Sequence, residues 1–298
     1  MAETENGKGL ILVTGAAGFI GRALCEHLLD EGCRVRALVR RNGRRLPPET
    51  TARLEGLVEI DDLAGSCSWE EIVGGVESVV HLAGRAHSGA ADDDLFFRHN
   101  LDATVALARA ACRFQVRRFI FCSSIKVNGE ALSKGRLSQR PYTASDPPRP
   151  QGPYAVSKWR AEQELSRIFP SRGEILLTII RPPLVYGPGA AGNLAGLKRW
   201  LKLGLPLPVP REGNRRSLID RGRLLEVITE CLACPQPGRL LLPCDPKVRS
   251  TADIARLLAG DSRICLLPVP GVWLKLGFRL VGRPEIYYKL YGDLQIAG

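Results

Sequence analysis

The segment GLILVTGAAGFIG at residues 9–21 reads, in one continuous stretch, as a strand, a glycine-rich turn and the start of a helix. Residues 9–13 have the apolar composition of a short buried strand. Residues 22–30 continue with the period of an amphipathic helix. Between them, Gly15, Gly18 and Gly21 are spaced G-x-x-G-x-x-G. In this context Gly15 makes the tight turn, Gly18 admits a close backbone approach by phosphate, and Gly21 lets helix and strand pack closely. The helix N-terminus favours an anionic pyrophosphate. Ala17, Phe19 and Ile20 fill the same turn, and a dinucleotide is the expected ligand.

Working outward, the next strand, residues 34–39, runs into Arg40, Arg41, Arg44 and Arg45 rather than into an acid. A carboxylate there would bind ribose hydroxyls, whereas a guanidinium suits a 2′-phosphate. Arg40 therefore favours NADP(H), with NAD(H) as the alternative. Short strands follow at 58–60, 78–82 and 117–122, and a helical period covers 92–114. Asp62 and Leu63 after the third strand border an adenine site. Leu82, Ala83 and Gly84 in HLAG leave room for the cofactor. Ser124 ends the fifth strand, and ligands of open α/β sheets gather at the carboxyl ends of the strands.

The stretch PYAVSK at 153–158 opens a helix running to about residue 169. Tyr154 and Lys158 stand four residues apart and share one face. An unperturbed phenol titrates near pH ~10. A neighbouring ammonium and an oxidised nicotinamide would both favour phenolate. Together with Ser124, these residues describe proton transfer at a sugar hydroxyl or ketone beside a nicotinamide ring.

TGAAGFIG, HLAG, RHNLDAT, FCSSIKVNGE, PYAVSKWRAE, RPPLVYGPG, GNLAGLKRW and NRRSLID span residues 14–220. This combination resembles the extended short-chain dehydrogenase/reductase family, in its nucleotide-sugar epimerase and reductase branch. The resemblance implies a catalytic set of Ser124, Tyr154 and Lys158, with Pro182 also at the cofactor. It implies that Asn193, Leu194 and Arg216 hold the diphosphate of a UDP-sugar, and that the chain forms a homodimer through helices at 92–114 and 154–169. Dehydratases of this family carry an acidic pair after the serine, where this chain has Ile125 and Lys126. Asn128 stands where epimerases usually have a tyrosine. SSIKVNGE with NRRSL resembles enzymes that reduce a UDP-4-keto-6-deoxy-N-acetylhexosamine for bacterial surface polysaccharide. A UDP-sugar 4-epimerase and a non-catalytic NADP-sensing protein are the alternatives. Lys126 either polarises the C4 carbonyl or binds the substrate amide, or it pairs with Glu130. Arg85 and His87 follow HLAG in a loop expected to face the sugar.

The alternating βα pattern to about residue 180 implies an α/β, Rossmann-type, doubly wound parallel sheet. Residues 1–180 form the NAD(P)-binding part, and 181–298 mainly a smaller, Pro- and Gly-rich substrate lobe. Residues 128–152 read as a lid. The formal charge of +11 is scattered rather than confined to one stripe, so polyanionic ligands account for it without nucleic acid. Nine dispersed cysteines suggest a reducing cytoplasm, and Cys231-x-x-Cys234 lacks the partners of a zinc site. No apolar run has transmembrane length. Residues 272–291 are basic and aromatic, which suggests either a helix packed on the lobe or a membrane-surface contact. Relatives of that family often extend past the region resembling KLYGDLQIAG, where this sequence stops at Gly298, as a shortened or naturally short tail would.

Overall fold

The structure, a computed structural model, describes residues 9–65, 67–86, 93–130, 140–171, 173–190, 192–233 and 239–297. The chain begins β1 (Leu10–Thr14), α1 (Phe19–Asp30), β2 (Val35–Arg40), α2 (Pro48–Thr51), β3 (Gly56–Ile60), α3 (Trp69–Val73), β4 (Val76–His81) and α4 (Asp93–Phe97). It continues with α5 (Ala103–Arg113), β5 (Arg118–Cys122), α6 (Gly152–Ile168), β6 (Leu176–Ile180), β7 (Leu184–Tyr186), α7 (Asn193–Lys202), β8 (Leu207–Pro210) and β9 (Leu218–Asp220). The last elements are α8 (Arg221–Ala233), β10 (Arg239–Leu241), α9 (Thr251–Ala259), β11 (Leu266–Val269), α10 (Gly271–Leu280) and α11 (Pro284–Tyr291).

Seven parallel strands form one sheet in the order β10-β6-β5-β4-β1-β2-β3. Its central strands are buried on both faces, so they read as continuous apolar runs rather than as alternation. One face carries Leu107, Ala161 and Leu165 from α5 and α6. The other carries Leu24 and Leu28 from α1 and Leu224 and Ile228 from α8. The order reverses between β1 and β4, and that switch point is where an open α/β sheet presents its crevice.

The chain returns to the sheet after residue 180, because α8 covers one face and β10 pairs with β6. Before and after these returns the chain contributes two small parallel pairs, β7 with β9 and β8 with β11. Clusters around Leu194, Leu218 and Ile254, and around Leu201, Leu207 and Ala255, consolidate them.

The expected single helix over 92–114 is interrupted. Residues Arg98–Asp102 form a π turn between α4 and α5, and Asp92 lies outside the described residues. The turn places the buried Asn100 side chain among Arg85 and Ser157. Such bulges accompany functional sites.

Candidate active site

The glycine turn is built by close contact. Gly15 has φ +68, and a Cβ on it would meet the Ala83 nitrogen at 2.8 Å. A Cβ on Gly21 would stand 2.2 Å from the Gly15 carbonyl oxygen. Gly18 is exposed and precedes α1, whose first turn has no side-chain cap among the described residues. Its free N–H groups are those an anion requires. Ala17, Ile20 and Leu82 lean on the apolar layer beneath, and Phe19 lies under the Arg221 guanidinium at 5.1 Å.

The turn reaches the catalytic helix through the end of β4. A Cβ on Gly84 would meet Asn100 Oδ1 at 3.0 Å and Lys158 Nζ at 3.3 Å. Asn100 accepts from Arg85 N at 2.7 Å and donates to Arg85 O and Ser157 Oγ, each at 3.0 Å. Arg85 Nε is buried without a partner among the described residues, which suits a polar ligand beside Gly84. Beneath lies His81, whose ring joins Thr14 Oγ1 at 2.7 Å and Thr104 Oγ1 at 2.9 Å. Thr104 donates to Asn100 O at 2.7 Å, so His81 Nε2 must donate to Thr104 and Nδ1 must accept from Thr14. Burial, with Lys158 nearby, drives His81 down to about 3 and keeps it neutral.

At the end of β5, Ser124 stands beside the Tyr154 phenol. Burial pushes that phenol up to about 12; Cys122 adds to the rise, and Ser124 acts against it by favouring the ionised form. Lys158 Nζ does not supply the expected help to the phenol. It donates to Cys122 O at 2.9 Å and lies 4.6 Å from the Phe121 ring centroid. Burial also lowers its own pKa, against the attraction of Cys122 and Glu162. Lys126 Nζ pairs with Glu130 Oε1 at 2.7 Å and also stands 5.9 Å from the Tyr154 ring centroid.

Behind this surface, Tyr154, Lys158 and Glu162 repeat every four residues along α6. Glu162 and Arg181 form an ion pair with both side chains only 2% exposed. Arg181 Nε donates to Glu162 Oε1 at 3.0 Å, Arg181 Nη1 to Asn128 Oδ1 at 2.8 Å, and Ser123 Oγ also donates to Glu162. Asn128 in turn donates to Thr143 O at 3.2 Å. Asn128 is thus a buried bracket of the catalytic loop rather than a group facing substrate, so its identity does not report directly on the sugar. The helical repeat 154/158/162 was the sequence signal for this network.

The remaining expected residues are dispersed. Arg40 and Arg41 are exposed at the end of β2, and Arg41 approaches Asp61 at 3.4 Å. Asp62 accepts from Ala64 N at 3.0 Å and from Arg98 Nε at 2.7 Å, while Leu63 is buried in the core. Pro182 is buried and accepts from Ile125 N at 3.0 Å. Leu194 is buried, so only its backbone can face a ligand. Asn193 opens α7 after Gly192; its side chain, like His87 and residues 131–139 of the expected lid, lies outside the described residues. Arg216 Nη1 donates to Lys289 O at 2.9 Å and to Gly292 O at 3.0 Å, binding the end of α11. Burial lowers its pKa, against Asp293 and Glu130. Glu130 thus stands between Arg216 of the lobe and Lys126 of the catalytic loop.

Residues 11–219 match the NAD dependent epimerase/dehydratase family. The chain belongs to that family. It is 36% identical over 298 residues to a UDP-glucose 4-epimerase of Vibrio cholerae, covering 96% of this chain and 86% of the relative. It is 26% identical to an N-acetyl-alpha-D-glucosaminyl-diphospho-ditrans,octacis-undecaprenol 4-epimerase of Escherichia coli O157:H7, over 73% of this chain and 61% of that protein. Among solved structures it is similar to MoeE5 in complex with UDP-glucose and NAD, with TM-score 0.71, 25% identity, and coverage of 88% of this chain and 85% of the other. Family membership gives the glycine turn, the exposed Gly18 and the orphaned Arg85 Nε a common reading: they fit a nicotinamide dinucleotide.

Proposed function

We propose that this family member is an NADP(H)-dependent reductase of the C4 ketone of a UDP-4-keto-6-deoxy-N-acetylhexosamine. Such a product is a precursor of bacterial surface polysaccharide. The reading rests on Ser124, just past the end of β5, standing beside the Tyr154 phenol in the first turn of α6. Ser124 Oγ orients the substrate oxygen, and Tyr154 Oη delivers a proton to it. Lys158 anchors the helix to β5 through Cys122 O and would bind cofactor ribose. Gly15, Ala17, Gly18 and Gly21 would cradle the pyrophosphate, with Arg40 at the 2′-phosphate; bound NADPH supplies the hydride. Asn193, Leu194 N–H and Arg216 would face the UDP diphosphate, and a homodimer through α5 and α6 is part of the same proposal.

Dehydration is disfavoured because Ile125 is buried beside Tyr142 and Leu294, and Lys126 offers no carboxylate for proton removal at C5. The 4-epimerase is the second reading, favoured by the full-length similarity to a UDP-glucose 4-epimerase. Purified protein with NADPH and the keto sugar, followed at the nicotinamide band, tests the choice. NADPH consumption supports the reductase. Inversion at C4 of a UDP-HexNAc without net NADPH loss supports the epimerase. Cofactor binding with no turnover on any sugar nucleotide revives the sensor and rejects both. Tyr154→Phe should lower kcat by roughly 10²–10⁴.

A further inference from the structure

The helix α10 is apolar on two opposite faces. Leu274 and Phe278, one turn apart, point inward, and Phe278 lies 6.5 and 6.4 Å from the Tyr287 and Tyr291 rings of α11. The helix is anchored at its start by Gly271 N donating to Glu212 at 3.1 Å. Yet α10 contains no buried residue. Val272, Trp273, Leu276 and Leu280 are 76%, 66%, 43% and 80% exposed, and Val281 just beyond is 75% exposed. At 3.6 residues per turn, positions 272, 273, 276 and 280 form one stripe directly opposite 274 and 278. Lys275 and Arg279 lie along one edge of that stripe, and Arg283 follows the helix. No acidic residue occurs between 271 and 283.

A soluble surface rarely leaves such a stripe, with an indole in it, facing water. α10 is too short to cross a bilayer, and no described helix is long and apolar enough to do so. A stripe of Trp, Leu and Val edged by cations is instead the composition that lies in the plane of an anionic membrane interface. A second copy of the chain would bring no counter-charge from the same helix. Acidic lipid headgroups bring it, while acyl chains take the stripe.

We propose that the outer face of α10 is a membrane-contact surface that seats the protein on anionic lipid. The test uses the full chain with vesicles of phosphatidylglycerol and phosphatidylethanolamine, and with phosphatidylcholine alone. Co-sedimentation should favour the anionic vesicles, weaken as salt rises, and shift Trp273 emission to the blue, a shift absent in Trp273→Phe. The pair Leu276→Ser/Leu280→Ser should weaken partition by on the order of tenfold or more. Arg279→Ala should weaken it by about fivefold for the one cation removed. Both variants should keep their circular dichroism and their turnover of soluble substrate. Absence of sedimentation at low salt overturns the proposal, as does undiminished binding by the double variant. So does a lipid-free dimer that the double variant abolishes, which would assign the stripe to a second copy.

Discussion

Replacing Glu162 by leucine should destabilise the protein more than any single change at the cofactor turn. The Glu162 carboxylate accepts from Arg181 Nε and from Ser123 Oγ, and both charged side chains are 2% exposed. Leucine removes the anion and leaves a guanidinium with no water to solvate it. Breaking a buried pair from one side costs about 3–5 kcal/mol, a large part of a stability of roughly 5–15 kcal/mol. The urea midpoint should fall by on the order of 1 M. Removing both charges, as in Glu162→Leu with Arg181→Met, eliminates the stranded ion and should restore at least half of the loss, since apolar replacements of whole pairs are often neutral. Ser123 and Asn128 would each still lose a partner, at about 1 kcal/mol apiece. A single variant costing less than about 1 kcal/mol, or a double variant no more stable than the single, refutes the reasoning about this network.

Gly21→Ala places a methyl 2.2 Å from the Gly15 carbonyl; it should cost about 1–3 kcal/mol by overpacking and reduce the thermal stabilisation given by added NADPH. Arg40→Asp should weaken NADPH binding by roughly tenfold to a hundredfold, the worth of one charge-assisted bond, and leave NADH binding unchanged or improved, as titration of each cofactor would report. His81 is depressed to about 3 from 6.5, so the unfolded chain binds the extra proton first: stability present above pH ~6.5 should decline as pH falls toward 3. The decline should amount to on the order of 3–5 kcal/mol, and His81→Gln should flatten that part of the curve.

The sheet was legible in the sequence because its strands are apolar runs punctuated by glycine turns, and because G-x-x-G-x-x-G admits few other geometries. Ser124 and Tyr154 were legible for the same reason: a strand end and a helix start sit on one edge of a parallel sheet. The Glu162–Arg181 pair was less so, since its members are 19 residues apart on elements whose facing is settled only by packing. Asn128 was legible only as a departure from the tyrosine usual in epimerases; that it brackets Arg181 and Thr143 depends on packing between distant segments. Nor could periodicity alone show the break at Arg98–Asp102, which serves the side-chain bonds of Asn100. The course of the chain after residue 180 depended on long-range pairing of β10 with β6, which no local pattern records.

The state of Tyr154 bears on the direction of reaction. With the chain's own groups the phenol stands near 12, and Lys158 is directed at the Cys122 carbonyl rather than at the phenol oxygen. A phenol in that state is a proton donor at every physiological pH. Ketone reduction needs a donor; alcohol oxidation needs a base, and the positive charge of an oxidised nicotinamide would have to bring the phenol down. An epimerase must begin its oxidation from phenolate, whereas a reductase begins from the phenol these residues already hold and regains from solvent the proton it gives to the ketone. The reductase reading therefore predicts a kcat for ketone reduction that stays level from pH ~6 to ~9, without a limb from Tyr154, while the reverse oxidation rises with pH over the same interval. Single-turnover rates in both directions measure this. An alkaline loss of the reduction rate centred near pH ~7, removed by Tyr154→Phe along with the activity itself, would show that Tyr154 titrates far below its buried value and that the electrostatic argument for reduction fails.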